Sequence, residues 1–248
     1  MKSFTVYYIV GQPRSGSTFV GDHIARSLNI VNAGEVWQTF RTMNLVRDGL
    51  GRGHGRWHKG DQKKVKASKI SSNPFWYRVL GQHEKNPYSA LVNVAASHWG
   101  GLVDCSKTDV GIDEYRALGC RVEVIHTVRA FTTWQASLTN YRHKYGLSVP
   151  RRGRLLLNYI KLNRRYRRYR NKYPYSVVPQ EQLKNICDLL LFYDEIKIGN
   201  TEYMNAEMFG APGFSGGFDS RRATTNVTRL DRILYAIIGI SLTGAMNK

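Results

Sequence analysis

The chain has 248 residues, of which 42% are hydrophobic, so it can bury one sizeable core, and we expect a single domain spanning 1–248. Its 37 Lys and Arg residues outnumber its 18 Asp and Glu residues, and the net charge of +19 predicts a polyanionic partner: nucleic acid, acidic glycan, membrane surface or a nucleotide with several phosphates. The apolar run 233–242 is too short and Gly-interrupted to span a bilayer, and the three widely spaced cysteines match no metal-binding pattern.

The first residues and the cysteines bear on the compartment. Met1, Lys2 and Ser3 lead directly into a β-prone run, which leaves no room for a signal peptide. The cysteines read as reduced thiols. Together these features predict a cytoplasmic protein.

A strand, a tight turn and a helix follow one another at the start of the chain. The strand 4–10 breaks at Gly11, a Gly/Pro/Ser turn follows, and 18–28 has helical periodicity. The N–H groups of a first helical turn have no partners within the helix and carry partial positive charge. This stretch therefore predicts an anion-binding loop.

The spacing of the loop is G-x-x-x-x-G, as in a nucleotide phosphate loop, but Ser17 stands where that loop needs Lys. Arg14 supplies a cation instead, and its planar fork suits a sulfate or a phosphate. The alternative is an ordinary Gly/Ser turn. The predicted contacts are Pro13, Arg14, Ser15, Gly16, Ser17 and Thr18.

The loop Pro-Arg-Ser-Gly-Ser-Thr resembles the 5′-phosphosulfate loop of sulfotransferases that use 3′-phosphoadenosine-5′-phosphosulfate (PAPS). It is most similar to the Arg-bearing branch, which includes tyrosylprotein, carbohydrate and many bacterial enzymes. The resemblance implies PAPS as cofactor and adenosine-3′,5′-bisphosphate (PAP) as its product.

Glu35 follows a short predicted strand within 30–37. An acidic group one element after an anion site is a candidate general base, and the alternative is a solvated loop carboxylate. The Gly-Glu pair resembles the catalytic glutamate segment of tyrosylprotein sulfotransferases, which implies that Glu35 is the base.

Residues 44–75 are Gly-rich and basic and show no regular period. We interpret them as a flexible insertion near the acceptor side. His54 and His58 lack a third ligand there, so no metal site is expected.

A helix is predicted over 86–97, followed by a buried strand over 101–104 with Ser106 and Lys107 at its polar tip. Ligands collect at the carboxyl ends of strands in open α/β sheets. The segment also resembles the Asp-x-Ser-Lys element of the same branch, which implies that Lys107 helps to hold the transferring group. An ordinary loop lysine is the alternative.

After a crossover helix over 112–118, the strand 122–128 precedes Arg129, and Ser137 lies on the next predicted helix. An Arg and a Ser so placed can grip one phosphate from two sides. The pair resembles the 3′-phosphate motif of the superfamily. Relatives carry Asp-Pro after the Arg, whereas Ala130 and Phe131 stand here.

The helix predicted over 155–173 has arginines interleaved with tyrosines, and such a helix could bind along a nucleic-acid strand. Apolar and tyrosine residues spaced by three or four favour the other interpretation, an inward stripe with the arginines in solvent; the stripe is Leu155, Tyr159, Leu162, Tyr166, Tyr169 and Tyr173. A strand over 175–178, a helix over 180–192 and a Gly-rich loop over 213–222 that covers the cofactor complete the predicted chain.

Strands alternate with helices, which predicts a three-layer α/β fold with a mostly parallel central sheet. The resemblance implies that this fold carries a P-loop-like phosphosulfate-binding loop. The reaction that the resemblance implies is in-line sulfuryl transfer to a hydroxyl or amine, with Glu35 as base, Arg14 and Lys107 stabilising charge, and no metal. We expect the acceptor to be a small molecule, a carbohydrate or a peptide, and we expect no specific nucleic-acid partner.

Two other classes of function stay open. A small-molecule or nucleoside kinase would need a magnesium ligand, for which Asp104 is the candidate, and the loop lacks the kinase Lys. A non-enzymatic polyanion-binding protein accounts for the charge but not for two separate phosphate grips.

Overall fold

A computed structural model describes residues 4–45, 70–82, 86–185, 204–206 and 227–240. They form two compact units. Unit 1 draws its described residues from Met1–Ile9, Thr18–Glu123 and Ile196–Phe214, and unit 2 draws them from Val10–Ser17, Val124–Glu195 and Ser215–Lys248. Residues 46–69 of the predicted insertion and the predicted covering loop 213–222 lie outside the described residues.

The described residues form six strands in the order β5-β4-β1-β3-β2-β6, where β1 and β4 each contribute residues to both units. β2 pairs in parallel with β3 and with β6, and β4 pairs in parallel with β5. The predicted α/β class with a parallel sheet is confirmed. The strands are β1 (Thr5–Gly11), β2 (Val31–Gly34), β3 (Gly101–Lys107), β4 (Arg121–Val128), β5 (Tyr175–Pro179) and β6 (Met204–Asn205).

Five helices are described that lie in unit 1 or begin at its boundary, and two of them start with the same capping device. Asn73 and Asn86 each precede a Pro, and each side chain accepts hydrogen bonds from two N–H groups of the first helical turn. The helices are α1 (Ser17–Leu28), α2 (Val36–Thr42), α3 (Pro74–Gly81), α4 (Pro87–Ala96) and α5 (Val110–Ala117). The sequence did not lead us to expect α2 or α3.

Edge-to-face aromatic rings form much of the core of unit 1. Tyr115 packs against Tyr8 and Tyr88 with ring centroids 5.9 and 5.1 Å apart, and Phe40 of α2 packs against Tyr88 at 5.1 Å. All four side chains are buried. This packing fixes α2, and with it the residue that precedes α2, Glu35.

Unit 2 contains α6 (Phe131–Lys144), α7 (Arg152–Arg167), a 3₁₀ turn (Arg168–Asn171), a second 3₁₀ segment (Gln180–Asn185) and α8 (Arg229–Ile238). The second 3₁₀ segment stands where a helix over 180–192 was predicted, and residues 186–192 lie outside the described part of the chain. The core of the unit is built from buried side chains of α6, α7 and α8; these include Phe131, Trp134, Leu155, Tyr159, Leu234, Tyr235 and Ile238.

The basic helix largely follows its predicted polarity. Leu155, Tyr159 and Tyr166 are buried, and Leu162 is half-buried, while Asn163 is also buried. The arginines are not all simply solvated, however. Arg164 and Arg167 donate hydrogen bonds to the carbonyls of Ile237 and Ile238, so they satisfy the C-terminus of α8.

Within the described ranges, no helix combines the length and the hydropathy that a membrane span requires.

Candidate functional site

The predicted phosphate loop is a tight turn at the start of unit 2. The Ser15 N–H donates to the Gln12 carbonyl at 3.1 Å, and α1 begins at Ser17, one residue earlier than predicted. Pro13 and Arg14 are exposed, Gly16 and Thr18 are half-buried, and Ser15 and Ser17 are buried. The loop therefore presents Pro13 and Arg14 outward, while its other residues are buried or half-buried.

Gly11 makes the close approach that starts this turn. A Cβ at Gly11 would lie 2.6 Å from the Thr127 carbonyl oxygen and 2.9 Å from the Ser15 hydroxyl. The Ser15 hydroxyl is 2.8 Å from the Thr127 hydroxyl, which in turn donates to the Val10 carbonyl at 3.3 Å. The Ser15 hydroxyl thus bonds β4 and shapes the loop, and the ligand contact of Ser15 stays a prediction.

Arg14 reaches the residue predicted to grip the other phosphate. Its Nε donates to the Ser137 hydroxyl at 3.4 Å, and its guanidinium lies 5.6 Å from the centre of the Tyr141 ring, both residues belonging to α6. Its φ of +73° is in the left-handed region, which is uncommon for a residue other than glycine.

Arg129 joins the same group of side chains. Its Nη1 donates to the Arg14 carbonyl at 3.4 Å, and its Nε donates to the Thr133 hydroxyl at 3.1 Å. The structure thus brings Arg14, Arg129 and Ser137 together, although 123 positions separate the first from the last. We call these three residues the cationic cluster.

Two acidic residues that the sequence analysis did not single out hold the turn after Arg129. Glu181 accepts from the Ala130 N–H at 2.8 Å and from the Tyr235 hydroxyl at 2.7 Å. Asp231 accepts from both the N–H and the hydroxyl of Thr132. The α6 N-cap residue Ala130 has no capping side chain, and these two carboxylates accept hydrogen bonds from the start of α6 instead.

The sequence did contain one signal for this arrangement. Thr228 and Asp231 have the spacing of a capping box, and the structure forms that box at the start of α8. Burial alone would raise the pKa of Asp231, but hydrogen bonds from Thr228 and Thr132 outweigh it and lower the pKa from its ordinary value. That the same carboxylate also caps α6 was not readable from the spacing.

In unit 1 the other two predicted catalytic residues meet. Lys107, the last residue of β3, forms an ion pair with Glu35, which precedes α2, and the side chains are 14% and 6% exposed. Lys107 has a φ of +61°. The described residues contain four non-glycine residues with positive φ: two asparagines, which tolerate this conformation well, and the two predicted cationic site residues Arg14 and Lys107.

Asp104 lies on β3, three positions before Lys107. It is fully buried and accepts hydrogen bonds from the Ser106 N–H and hydroxyl and from the Tyr115 hydroxyl, while the Ser106 hydroxyl accepts from the Trp37 N–H. Burial raises the pKa of Asp104 to about 7, against these hydrogen bonds, which lower it. Asp104 therefore anchors α2 and is not presented as a magnesium ligand. The described residues also contain no group of three potential metal ligands.

His126 lies next to the end of a strand, where a second candidate base could stand, and its surroundings decide its role. His126 is fully buried within β4, with Nδ1 2.6 Å from the Tyr175 hydroxyl and Nε2 2.9 Å from the Asn163 Oδ1. Burial lowers its pKa to about 4. Both nitrogens are engaged in the core of unit 2, so His126 is a structural residue.

The chain has few detectable similarities to known proteins. No family model matches the chain, and no curated protein matches it. Among solved structures, the sulfotransferase domain from the Synechococcus PCC 7002 olefin synthase is similar at 16% identity, with 96% of this chain and 88% of that chain covered and a TM-score of 0.43. A likeness of this size does not assign an activity, so the function has to be argued from the residues.

Proposed function

We propose that this protein is a PAPS-dependent sulfotransferase that moves a sulfuryl group to a hydroxyl or amine of its acceptor. The observation that carries the proposal is the cationic cluster: Arg14 bonds to Ser137, and Arg129 bonds to the Arg14 carbonyl. The two segments that resemble the 5′-phosphosulfate and 3′-phosphate motifs thus contact each other within unit 2, which supports one shared anionic ligand.

The chemistry of these donors fits the cofactor. Two guanidinium groups and a hydroxyl are the donors that phosphate and sulfate oxygens accept, and guanidinium can bind them in pairs. Arg14, Arg129 and Ser137 would hold the phosphates, and the loop N–H groups at the start of α1 would add further donors. When bound, PAPS supplies a sulfuryl group on a good leaving group.

The backbone conformation of Arg14 and of Lys107 supports a functional role for both residues. Strained φ/ψ values persist where the surroundings enforce them, and they are concentrated at active sites and ligand clamps. Arg14 and Lys107 both have positive φ, at +73° and +61°.

In the proposed reaction, Glu35 would accept the proton of the acceptor hydroxyl as the hydroxyl oxygen attacks the sulfur of the sulfuryl group and displaces PAP. Lys107 orients the Glu35 carboxylate through their ion pair and adds positive charge beside it. Arg14 neutralises charge on the transferring and leaving oxygens, as guanidinium groups do in phosphoryl transfer. Positioning and charge neutralisation supply the rate enhancement, with one residue serving as base.

The test compares PAP with 5′-AMP, which lacks the 3′-phosphate. PAP at 100 times its Kd should stabilise the protein by roughly 2.7 kcal/mol, and 5′-AMP at the same concentration by much less. Arg129→Ala should remove most of the difference between the two nucleotides. Arg168→Ala is the matched control, because Arg168 is exposed at the end of α7.

A second arm tests the reaction itself by mass spectrometry of a mixed acceptor panel incubated with PAPS. A product carrying an added sulfate supports the proposal. Equal stabilisation by PAP and 5′-AMP, or magnesium-dependent ATP binding with phosphate transfer, would contradict it and favour the kinase alternative.

A further inference from the structure

We propose that the outer faces of α7 and α8 form a docking surface for an anionic lipid bilayer. This inference uses other residues than the cationic cluster and does not depend on the proposed reaction. It rests on three observations: the two helices lie side by side, their outer faces carry exposed aliphatic side chains, and the charged groups around these are basic.

The two helices run in the same direction. At their C-terminal ends, Arg164 and Arg167 of α7 bond to the carbonyls of Ile237 and Ile238 of α8. Earlier in their length, both helices contact the start of α6. The Tyr159 hydroxyl of α7 donates to the Arg129 carbonyl, and Asp231 of α8 accepts from the Thr132 N–H, three residues further along the chain. Both helices therefore pass the start of α6 and end together, with their outer faces adjacent.

Three large aliphatic residues are exposed on these helices. Leu157 of α7 is 69% exposed, and Ile233 and Ile237 of α8 are 49% and 42% exposed. Ile233 and Ile237 are four positions apart, so they share one face of α8. Leu157 and Arg164 are seven positions apart, so they share one face of α7. Arg164 donates to the Ile237 carbonyl, which brings these two faces next to each other. Isolated exposed aliphatic residues need no explanation, but a group on two packed helices does.

Basic residues surround these aliphatic side chains. α7 contains no acidic residue, and the only one in α8, Asp231, is buried at 1% exposure. The exposed basic residues of this surface are Lys161, Arg164, Arg168, Arg229 and Arg232. A helical surface of basic and aliphatic residues is typical of proteins that lie on anionic membranes, where cations meet headgroups and aliphatic side chains enter the acyl boundary.

The same surface suits nucleic acid less well. Proteins that bind single strands stack bases on aromatic side chains. Here the aromatic residues in the middle of α7, Tyr159 and Tyr166, are buried, and the exposed apolar residues are aliphatic. Charge complementarity alone would fit either polyanion, but the exposed isoleucines and leucine select the bilayer.

The experiment measures co-sedimentation of the full chain with vesicles of phosphatidylcholine that contain either no phosphatidylserine or about 30% of it. We expect binding only to the anionic vesicles. The variant Ile233→Ser/Ile237→Ser should weaken it about 10-fold, and Lys161→Glu/Arg232→Glu should weaken it by at least as much. The matched controls are Tyr77→Ser and Arg116→Glu, which change an exposed aromatic and an exposed cation of unit 1.

All of the changed residues are exposed, so thermal melting should show folded variants, and Leu157→Ser gives an independent check of the apolar contribution. Equal binding to both kinds of vesicle would overturn the proposal. So would unchanged binding in the isoleucine variant. Direct binding of heparin or single-stranded RNA that both surface variants abolish, with no binding to either kind of vesicle, would overturn the proposal and assign the surface to a polymer.

Discussion

Asp231 of α8 closes the first turn of α6, 99 positions earlier in the chain. Its Oδ1 accepts the Thr132 N–H at 3.0 Å, and its Oδ2 accepts the Thr132 hydroxyl at 2.7 Å. The same carboxylate accepts from the N–H and hydroxyl of Thr228 at the start of its own helix. One buried carboxylate therefore serves two helix N-termini, and α6 is the helix that carries Ser137.

Removing this carboxylate should affect stability and the cationic cluster together. Asp231→Ala leaves buried donors without an acceptor, and we expect a loss of about 3 kcal/mol in the free energy of unfolding, measured in urea. Because Thr133 and Ser137 lie on the helix that loses its cap, the preference for PAP over 5′-AMP should also fall.

Thr228→Ala is the control, since it breaks the capping box of α8 but leaves the bonds between Asp231 and Thr132. It should lower stability by about 1 kcal/mol with nucleotide preference unchanged. If both variants reduce the preference equally, Asp231 is a stability residue only and does not position the cluster.

Gly11→Ala tests the turn of the phosphate loop. The new Cβ would meet the Thr127 carbonyl at 2.6 Å, which is backbone and cannot rotate away, so the loop or β4 must shift. We expect a destabilisation of about 1–3 kcal/mol and weaker PAP binding, measured by calorimetry. Gly153→Ala in unit 2 is the control, because no atom lies within 4 Å of its added Cβ. Unchanged PAP affinity in a folded Gly11→Ala protein would show that this turn is not part of the nucleotide site.

The elements that recur in the sequence as buried β-prone runs were predicted well. Strands 4–10, 122–128 and 175–178 agree with β1, β4 and β5 within a residue or two, because continuous apolar runs have one good place in a parallel sheet. The helix capped by Asn86 was predicted for a related reason: its apolar residues keep a regular helical period.

The unpredicted parts depend on partners distant in sequence. The α2 helix is short and starts at Val36 directly after Glu35, and it is held by Ser106 and Asp104 from β3, which no local pattern reports. In the candidate site, spacing suggested Arg14, Arg129 and Ser137. The contacts of Glu181 and Asp231 with the start of α6 were not predicted, because a carboxylate that caps a remote helix has no sequence pattern that reports this contact.

His126 should make the stability of the protein depend on pH. Its pKa falls from an ordinary 6.5 to about 4 in the folded state, so the unfolded chain binds the proton more readily. The stabilisation is fully present above pH 6.5 and is lost as the pH falls from there towards 4. Between pH 7 and pH 5 the contribution of His126 should fall by about 2 kcal/mol, measured by urea unfolding as the difference between the wild type and His126→Gln.

The comparison with His126→Gln isolates this contribution, since glutamine can donate and accept but does not titrate. Asp104, whose pKa is raised to about 7, acts in the opposite direction, because its folded form keeps a proton that it loses as the pH rises. It contributes equally in both proteins and cancels. A pH dependence that is identical with and without His126 would mean that the imidazole is not buried in its neutral form.

Glu35 carries the sharpest prediction about chemistry. Glu35→Gln keeps the shape of the side chain and removes its basicity, so PAP binding should be nearly unchanged while kcat for a hydroxyl acceptor falls by at least about 10²-fold. The loss should shrink for an acceptor that is already ionised, such as a nitrophenolate, because no proton has to be removed from it.

The ion pair with Lys107 complicates this test, because any change of Glu35 to a neutral residue also removes the negative charge that pairs with the largely buried Lys107 ammonium. Lys107→Met breaks the same pair but keeps the carboxylate, so the two variants separate the roles. If Glu35 is the base, the ionised acceptor should restore the kcat of Glu35→Gln but not that of Lys107→Met. An ion pair that merely supports the fold predicts similar losses in both variants with either acceptor, together with a similar drop in Tm. If Glu35→Gln turns over a hydroxyl acceptor within a few-fold of the wild type, Glu35 is not the base, and the buried His126 cannot replace it.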